Sequence, residues 1–120
     1  MPNKEENPIL VTDGSKRWQV DGKLHRIDGP AYEDCDGSKA WYVDGKLSRT
    51  GGPAIEYPDG SKEWRLNGDL HRTDGPAIEL TDGTKEYYLF GGKYDDPEVF
   101  RVASEMLVKL FPEMTVRENG

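Results

Sequence analysis

A single cysteine, Cys35, stands among 120 residues, so no internal disulfide can staple the chain. That usage fits a reducing compartment. Long hydrophobic runs are missing as well. Hydrophobic residues make up 34% of the sequence, and no stretch approaches the length of a membrane span. The opening Met-Pro-Asn-Lys-Glu-Glu carries no apolar core of signal-peptide length. The expectation is a soluble, cytoplasmic protein. An excess of positive charge is also absent. Sixteen basic against 23 acidic side chains leave a net charge of −7, which repels phosphate backbones and anionic membrane surfaces alike. Direct nucleic-acid binding and membrane association are therefore not expected. An acidic chain can instead mimic nucleic acid in a partner's basic groove.

What is abundant is turn chemistry, and it is periodic. Asp13-Gly14-Ser15-Lys16 recurs as Asp36-Gly37-Ser38-Lys39, as Asp59-Gly60-Ser61-Lys62 and, with one change, as Asp82-Gly83-Thr84-Lys85. The spacing is 23 residues each time. A fixed period of this size marks a repeat architecture, in which each unit buries its apolar surface against its neighbours. Eight aspartates directly precede a glycine, so much of the acidity serves turns, where Asp tolerates unusual backbone angles. Three full units run from Asp13, Asp36 and Asp59, and a fourth breaks off near Asp95. The segment Pro8 to Thr12 stands where a preceding unit would end and is expected to supply a first strand.

Each unit reads as three short extended pieces. In the first unit Lys16 to Val20 stops at Asp21-Gly22, and Asp-Gly between two strand-like runs is the strongest short hairpin signal. Asp44-Gly45 and Asn67-Gly68 keep that signal, whereas Phe90-Gly91 departs from it and is expected to form a different turn. The second piece leads to Gly-Pro-Ala, whose proline belongs at a strand start or an exposed edge. A two-residue turn places Leu24 on the face opposite Trp18, and a three-residue turn with a bulge unites them. Both remain open at the level of sequence. Trp18, Trp41, Trp64 and Tyr87 form an aromatic column, read as the core stripe. Arg26, Arg49 and Arg72 are expected to pair with nearby aspartates such as Asp28 and Asp74, although Gly51 replaces that aspartate in the second unit. His25, Ser48 and His71 do not have metal-ligand spacing and are expected to cap or pack near turns. Asp34 to Gly37 lacks the later glutamate and flanking helices of a calcium loop.

The ending differs in kind. Asp96-Pro97-Glu98 is a helix start, with a capping aspartate, proline at the first helical position and an acid in the first turn. Val99, Val102, Ala103, Met106 and Leu110 follow at helical spacing, widened by Phe100, Leu107 and Phe111, and Pro112 stops the pattern. The stripe predicts a lid over the open end of the repeat stack, where a bare strand edge invites aggregation. The domain plan is thus a flexible N-terminus (1–7), a β-repeat sheet (8–94), a capping helix (95–112) and a tail (113–120). The fold class is mainly β: an elongated stack of antiparallel hairpins, about three and a half units long, closed by one C-terminal helix.

The string Trp-x-x-(Asp/Asn)-Gly-x-Leu-His-Arg-x-Asp-Gly-Pro-Ala, nearly complete at 18–31 and 64–77, resembles MORN-type repeats (membrane occupation and recognition nexus). It is closer still to their variant in bacterial antitoxin-like and tailed-phage proteins. The resemblance covers about residues 8–94, with an earlier Asn-Gly than the common consensus and an added Gly-Pro-Ala. It implies stacked β-hairpins in a twisted sheet and a scaffolding role, in some members at membranes, which the acidity here opposes. It implies no catalytic residue.

No nucleophile–base pair, phosphate loop, metal cluster or paired-carboxylate motif stands out, so neither an enzyme nor a cofactor is expected. The expected function is non-catalytic protein binding, in concrete form a phage-encoded inhibitor of a host defence nuclease or complex, resembling an anti-CRISPR. The alternatives are an assembly module self-associating through the terminal helix or a strand edge, an antitoxin-like neutraliser, or the acidic mimic. Binding should lie where the repeats differ. One such column is Arg17, Ala40, Glu63 and Glu86, and the other is Gln19, Tyr42, Arg65 and Tyr88. The second mixes aromatic and long polar side chains of the kind enriched at interfaces. Tyr42, Arg65 and Tyr88, flanked by Glu63 and Glu86, are the favoured partner-binding residues.

Overall fold

A computed structural model of the chain describes residues 9–10 and 13–112. The expected flexible N-terminus, the tail and the rest of the leading segment lie outside the described residues. Each 23-residue unit contributes to two parallel rows of structure. One row is a nine-stranded antiparallel sheet built from β1 (Ile9–Leu10), β2 (Lys16–Arg17), β5 (Tyr32–Glu33), β6 (Lys39–Ala40), β9 (Ile55–Glu56), β10 (Lys62–Glu63), β13 (Ile78–Glu79), β14 (Lys85–Leu89) and β15 (Gly92–Tyr94), in that spatial order. The other row is a file of hairpins. It comprises β3 (Gln19–Val20) with β4 (Lys23–Leu24), β7 (Tyr42–Val43) with β8 (Lys46–Leu47), and β11 (Arg65–Leu66) with β12 (Asp69–Leu70). The slab measures 46 × 37 × 22 Å.

The tryptophan is the pivot between the rows. Trp18, Trp41 and Trp64 donate their N–H to Ala31, Ala54 and Ala77 in the sheet, at 2.7–2.8 Å. Their carbonyls accept from His25, Ser48 and His71 in the hairpin row, at 2.9–3.0 Å. The three alanines are fully buried, which leaves no room for a larger side chain there.

Two turn types close the rows. In the sheet, Gly37, Gly60 and Gly83 take φ of 94–99°, and each donates back to the carbonyl three residues earlier. The leading aspartate locks this turn: the N–H groups of Ser15, Ser38, Ser61 and Thr84 donate to Asp13, Asp36, Asp59 and Asp82 at 2.8–2.9 Å. In the hairpins, register Gln19↔Leu24 and Val20↔Lys23 settles the turn as two residues without a bulge. Asp21 and Gly22 both have positive φ, 53° and 79°, the geometry that matches strand twist.

Phe90-Gly91 overturns an expectation. Its φ values of 49° and 83° make it the same turn as the others. A bulky residue at positive φ is strained. Here the Phe90 N–H donates to His71 Nδ1 at 2.9 Å, and its ring stacks on His71 at 4.1 Å.

The hairpins are bonded into a file by a junction that repeats with the period. Between the first two, Gly45 donates to the Leu24 carbonyl, Arg26 to the Tyr42 carbonyl, and Asp44 to His25 Nδ1. Gly68, Arg49 and Asn67 do the same toward Leu47, Arg65 and Ser48 Oγ, and Gly91, Arg72 and Phe90 toward Leu70, Tyr88 and His71. The histidine–serine–histidine column thus accepts a turn N–H from the next unit.

The helix α1 (Pro97–Leu110) packs on β14 and β15. Asp96 caps it by accepting from the Glu98 N–H at 2.9 Å. The docked side differs from the expected stripe. Phe100 and Ser104 are buried, whereas Val99, Val102, Met106 and Leu110 are 53–65% exposed. Phe100 sets the rotation by fitting between Tyr87 and Tyr94, with ring centroids 4.8 and 5.9 Å away.

Candidate interaction surfaces

The repeated side chains form one unit of structure. Arg26, Arg49 and Arg72 lay their guanidinium groups over Trp18, Trp41 and Trp64 at 3.8–3.9 Å from the ring centroids. On the other side of each guanidinium stands a glycine: a Cβ on Gly29, Gly52 or Gly75 would sit 3.2, 3.1 or 2.9 Å from the Cζ. The Nη1 group donates to the carbonyl of Pro30, Pro53 or Pro76, and faces Glu33, Glu56 or Glu79 at 3.8, 3.3 and 3.0 Å. Gly-Pro-Ala therefore supplies a bare α-carbon, a carbonyl acceptor and a small buried contact to the strand. The expected arginine–aspartate brace exists as Arg72–Asp74 at 2.7 Å, but glutamate is the partner that recurs in all three units. Sequence spacing hid this stack, because tryptophan and arginine lie eight residues apart across a hairpin.

The variable columns are less open than expected. Gln19, Tyr42, Arg65 and Tyr88 are all half-buried, as are Glu63 and Glu86, and Ala40 is buried. The structure gathers four of them, Glu63 with Arg65 and Glu86 with Tyr88, into two clusters in neighbouring units. Arg65 donates to Glu63 at 3.0 Å and to the Gly68 carbonyl at 2.9 Å, and the Tyr57 hydroxyl donates to Glu63 at 3.0 Å. One unit on, the Tyr88 hydroxyl donates to Glu86 at 3.2 Å, with Lys93 at 3.9 Å. Burial and then the adjacent carboxylate raise the pKa of both phenols, Tyr57 beside Glu63 and Tyr88 beside Glu86. A concavity of about 460 Å³ opens beside the first cluster, lined by Tyr57, Pro58, Glu63 and Leu80. Sequence reading missed Tyr57 and Leu80, which carry no repeat signal. Gln19 and Tyr42 lie toward the other end of the file and join neither cluster.

The aromatic column is uneven. Trp18 and Trp64 are 5% and 3% exposed, but Trp41 is only half-buried, as is Tyr87. Trp41 is therefore not a sealed core residue. It lines a groove of about 410 Å³ with Ile27, Val43 and Thr50, and with Arg26 and Arg49 stacked on the indoles.

Cys35 is exposed, and its pKa is raised by a hydrogen bond from the thiol to Asp34, by desolvation and by nearby carboxylates. The thiolate that nucleophilic chemistry needs is disfavoured. Among the described residues no group of metal-ligating side chains is assembled, and no helix is long and apolar enough to cross a membrane.

Fold and surfaces define an antiparallel β-hairpin repeat protein with a helix laid on its last hairpin. No family model matches the chain, and neither a curated protein nor a solved structure matches it.

Proposed function

We propose that this chain is a non-catalytic protein-binding module, in its most concrete form a phage-encoded inhibitor of a host defence complex that acts in the host cytoplasm. One observation carries the binding role. The side chains that recur with the period are consumed by the internal stack and junctions, while the clusters around Glu63–Arg65 and Glu86–Tyr88 vary between units, and the first of them borders a largely apolar concavity. Such a mixture of aromatic, arginine and apolar groups is what interface cores use. The inhibitor form rests on the resemblance of the Trp…Gly-Pro-Ala string to repeats of tailed-phage proteins. Affinity capture from a bacterial lysate, read by mass spectrometry, tests both levels. A nuclease or defence complex held by the wild type and lost with Arg65→Glu, with the fold retained by circular dichroism, is the expected result. Undiminished capture by Arg65→Glu counts against this face, and a lone captured toxin favours the antitoxin role.

The exposed stripe Val99, Val102, Met106 and Leu110 favours a second reading, self-association through α1. Glu98 stands in the first turn and Lys109 in the last. An antiparallel pair of helices sets each Glu98 toward the other copy's Lys109, a two-fold contact. A dimer mass in solution that drops to a monomer in Met106→Glu/Leu110→Glu supports it, and a wild-type monomer at high micromolar concentration removes it.

A further inference from the structure

We infer that the groove at Trp41 is a docking site for an amphipathic helix of a partner protein that inserts an aromatic side chain. The inference deepens the protein-binding reading and rests on it. The molecule itself shows what such a groove accepts. Moving two units along the repeat turns the lining residues Ile27, Trp41 and Ser48 into Thr73, Tyr87 and Tyr94. At that equivalent place α1 lies over the groove: Phe100 packs on Tyr87 and Tyr94, and Ser104 borders the same concavity as Thr73, which is 8% exposed. At the Trp41 groove the residue matching Thr73 is Ile27, 73% exposed, and Val43 beside it is 42% exposed. The repeat has therefore set an aromatic residue at both places and covered one of them with a helix of its own chain.

The middle copy offers no such opening, since its aromatic residue, Trp64, is 3% exposed. Exposed isoleucine, valine and indole in one concavity are costly to leave in water, at roughly 25 cal/mol per Å² of apolar surface. The groove's two arginines are already engaged, Arg26 facing Glu33 and Arg49 facing Glu56, so an aromatic anchor rather than charge selects the occupant. Recognition of this kind reads anchors at helical spacing laid into an apolar groove.

The test uses the full chain and a peptide of residues 95–111, stapled into a helix across positions 102 and 106, which face away from the docked side. NMR of the tryptophan indole N–H signals, assigned with Trp41→Phe, reads the site. Saturable binding that moves the Trp41 signal and leaves Trp18 and Trp64 in place is expected. Ile27→Asp should weaken binding by at least about tenfold, as should Phe100→Ala in the peptide, the loss typical of an anchor residue. Ile27 is exposed, so its variant should keep the wild-type melting temperature. No saturable binding, or binding indifferent to Ile27→Asp, overturns the inference. So does a response confined to Tyr87 and Tyr94, which would mean exchange with α1. Lysate capture through Arg65 is independent of this groove. Peptide failure with intact capture removes the groove alone, and the reverse removes the proposed function alone.

Discussion

The second and third repeats have nearly the same sequence pattern and the same backbone hydrogen bonds, yet one is sealed and the other is not. In the third, Trp64, His71, Arg72 and Thr73 are all buried. In the second, Trp41 and Arg49 are half-buried, and Val43 and Thr50 are exposed. Backbone geometry is therefore set within the repeat, while burial is set by what lies beside it. Asp74 braces Arg72 where the second repeat has Gly51, and α1 lies beside Thr73, whereas Thr50 is exposed among the described residues.

The largest expected consequence lies in the indoles. Trp64→Ala should cost about 3–5 kcal/mol, as for a fully buried aromatic, and Trp41→Ala clearly less. Urea denaturation gives both values, and equal losses would erase the contrast. His71→Ala should come next, at about 2–3 kcal/mol, because it orphans the Phe90 N–H and unstacks the ring that holds Phe90 at positive φ. Ser48→Ala, which frees only the Asn67 N–H, should cost about 1 kcal/mol. A larger loss at Ser48 than at His71 would reverse the ranking of the two junctions.

Smaller again is the effect of filling the space under the arginine. Gly75→Ala should destabilise by about 1–2 kcal/mol, and Gly29→Ala by less, because the third repeat's guanidinium is the tighter fit, 2.9 against 3.2 Å. Equal melting temperatures for the two variants would show that Arg72 yields as freely as Arg26.

The smallest effect is on acid stability. The Ser15 and Ser38 N–H groups hold Asp13 and Asp36 below the usual carboxylate range, and the Thr84 hydroxyl and N–H do so for Asp82. A depressed folded pKa stabilises above the unfolded value near 3.9 and loses that contribution as pH falls further. The urea midpoint should drop below about pH 4, and Asp36→Asn, which keeps the acceptor, should flatten that drop. An identical acid profile would remove Asp36 from the account.

What was legible in the sequence was what a single residue dictates locally. Asp21-Gly22 can reach two consecutive positive φ angles, and Asp96-Pro97 can start a helix, whatever surrounds them. Phe90-Gly91 could not be read that way, because Phe90 is held by His71, a partner 19 residues earlier. The Arg–Trp–Gly sandwich was equally hidden, since it depends on a strand that changes partners at the tryptophan. The helix was visible, but its docked side was not: apolar residues surround most of α1, and only the gap between Tyr87 and Tyr94 chooses Phe100. The columns that vary between repeats were visible in the sequence, but not that Glu63 and Arg65 bond to each other.

The junction between hairpins makes length a free variable of this design. Every joint uses the same two donors from the later turn and the same column of acceptors from the earlier strand. A duplicated 23-residue block, spliced between existing ones, meets its neighbours with all their bonds intact. Such a chain can be lengthened or shortened by whole copies, as a ruler is, moving the terminal helix by a fixed step each time while the surface it carries stays the same.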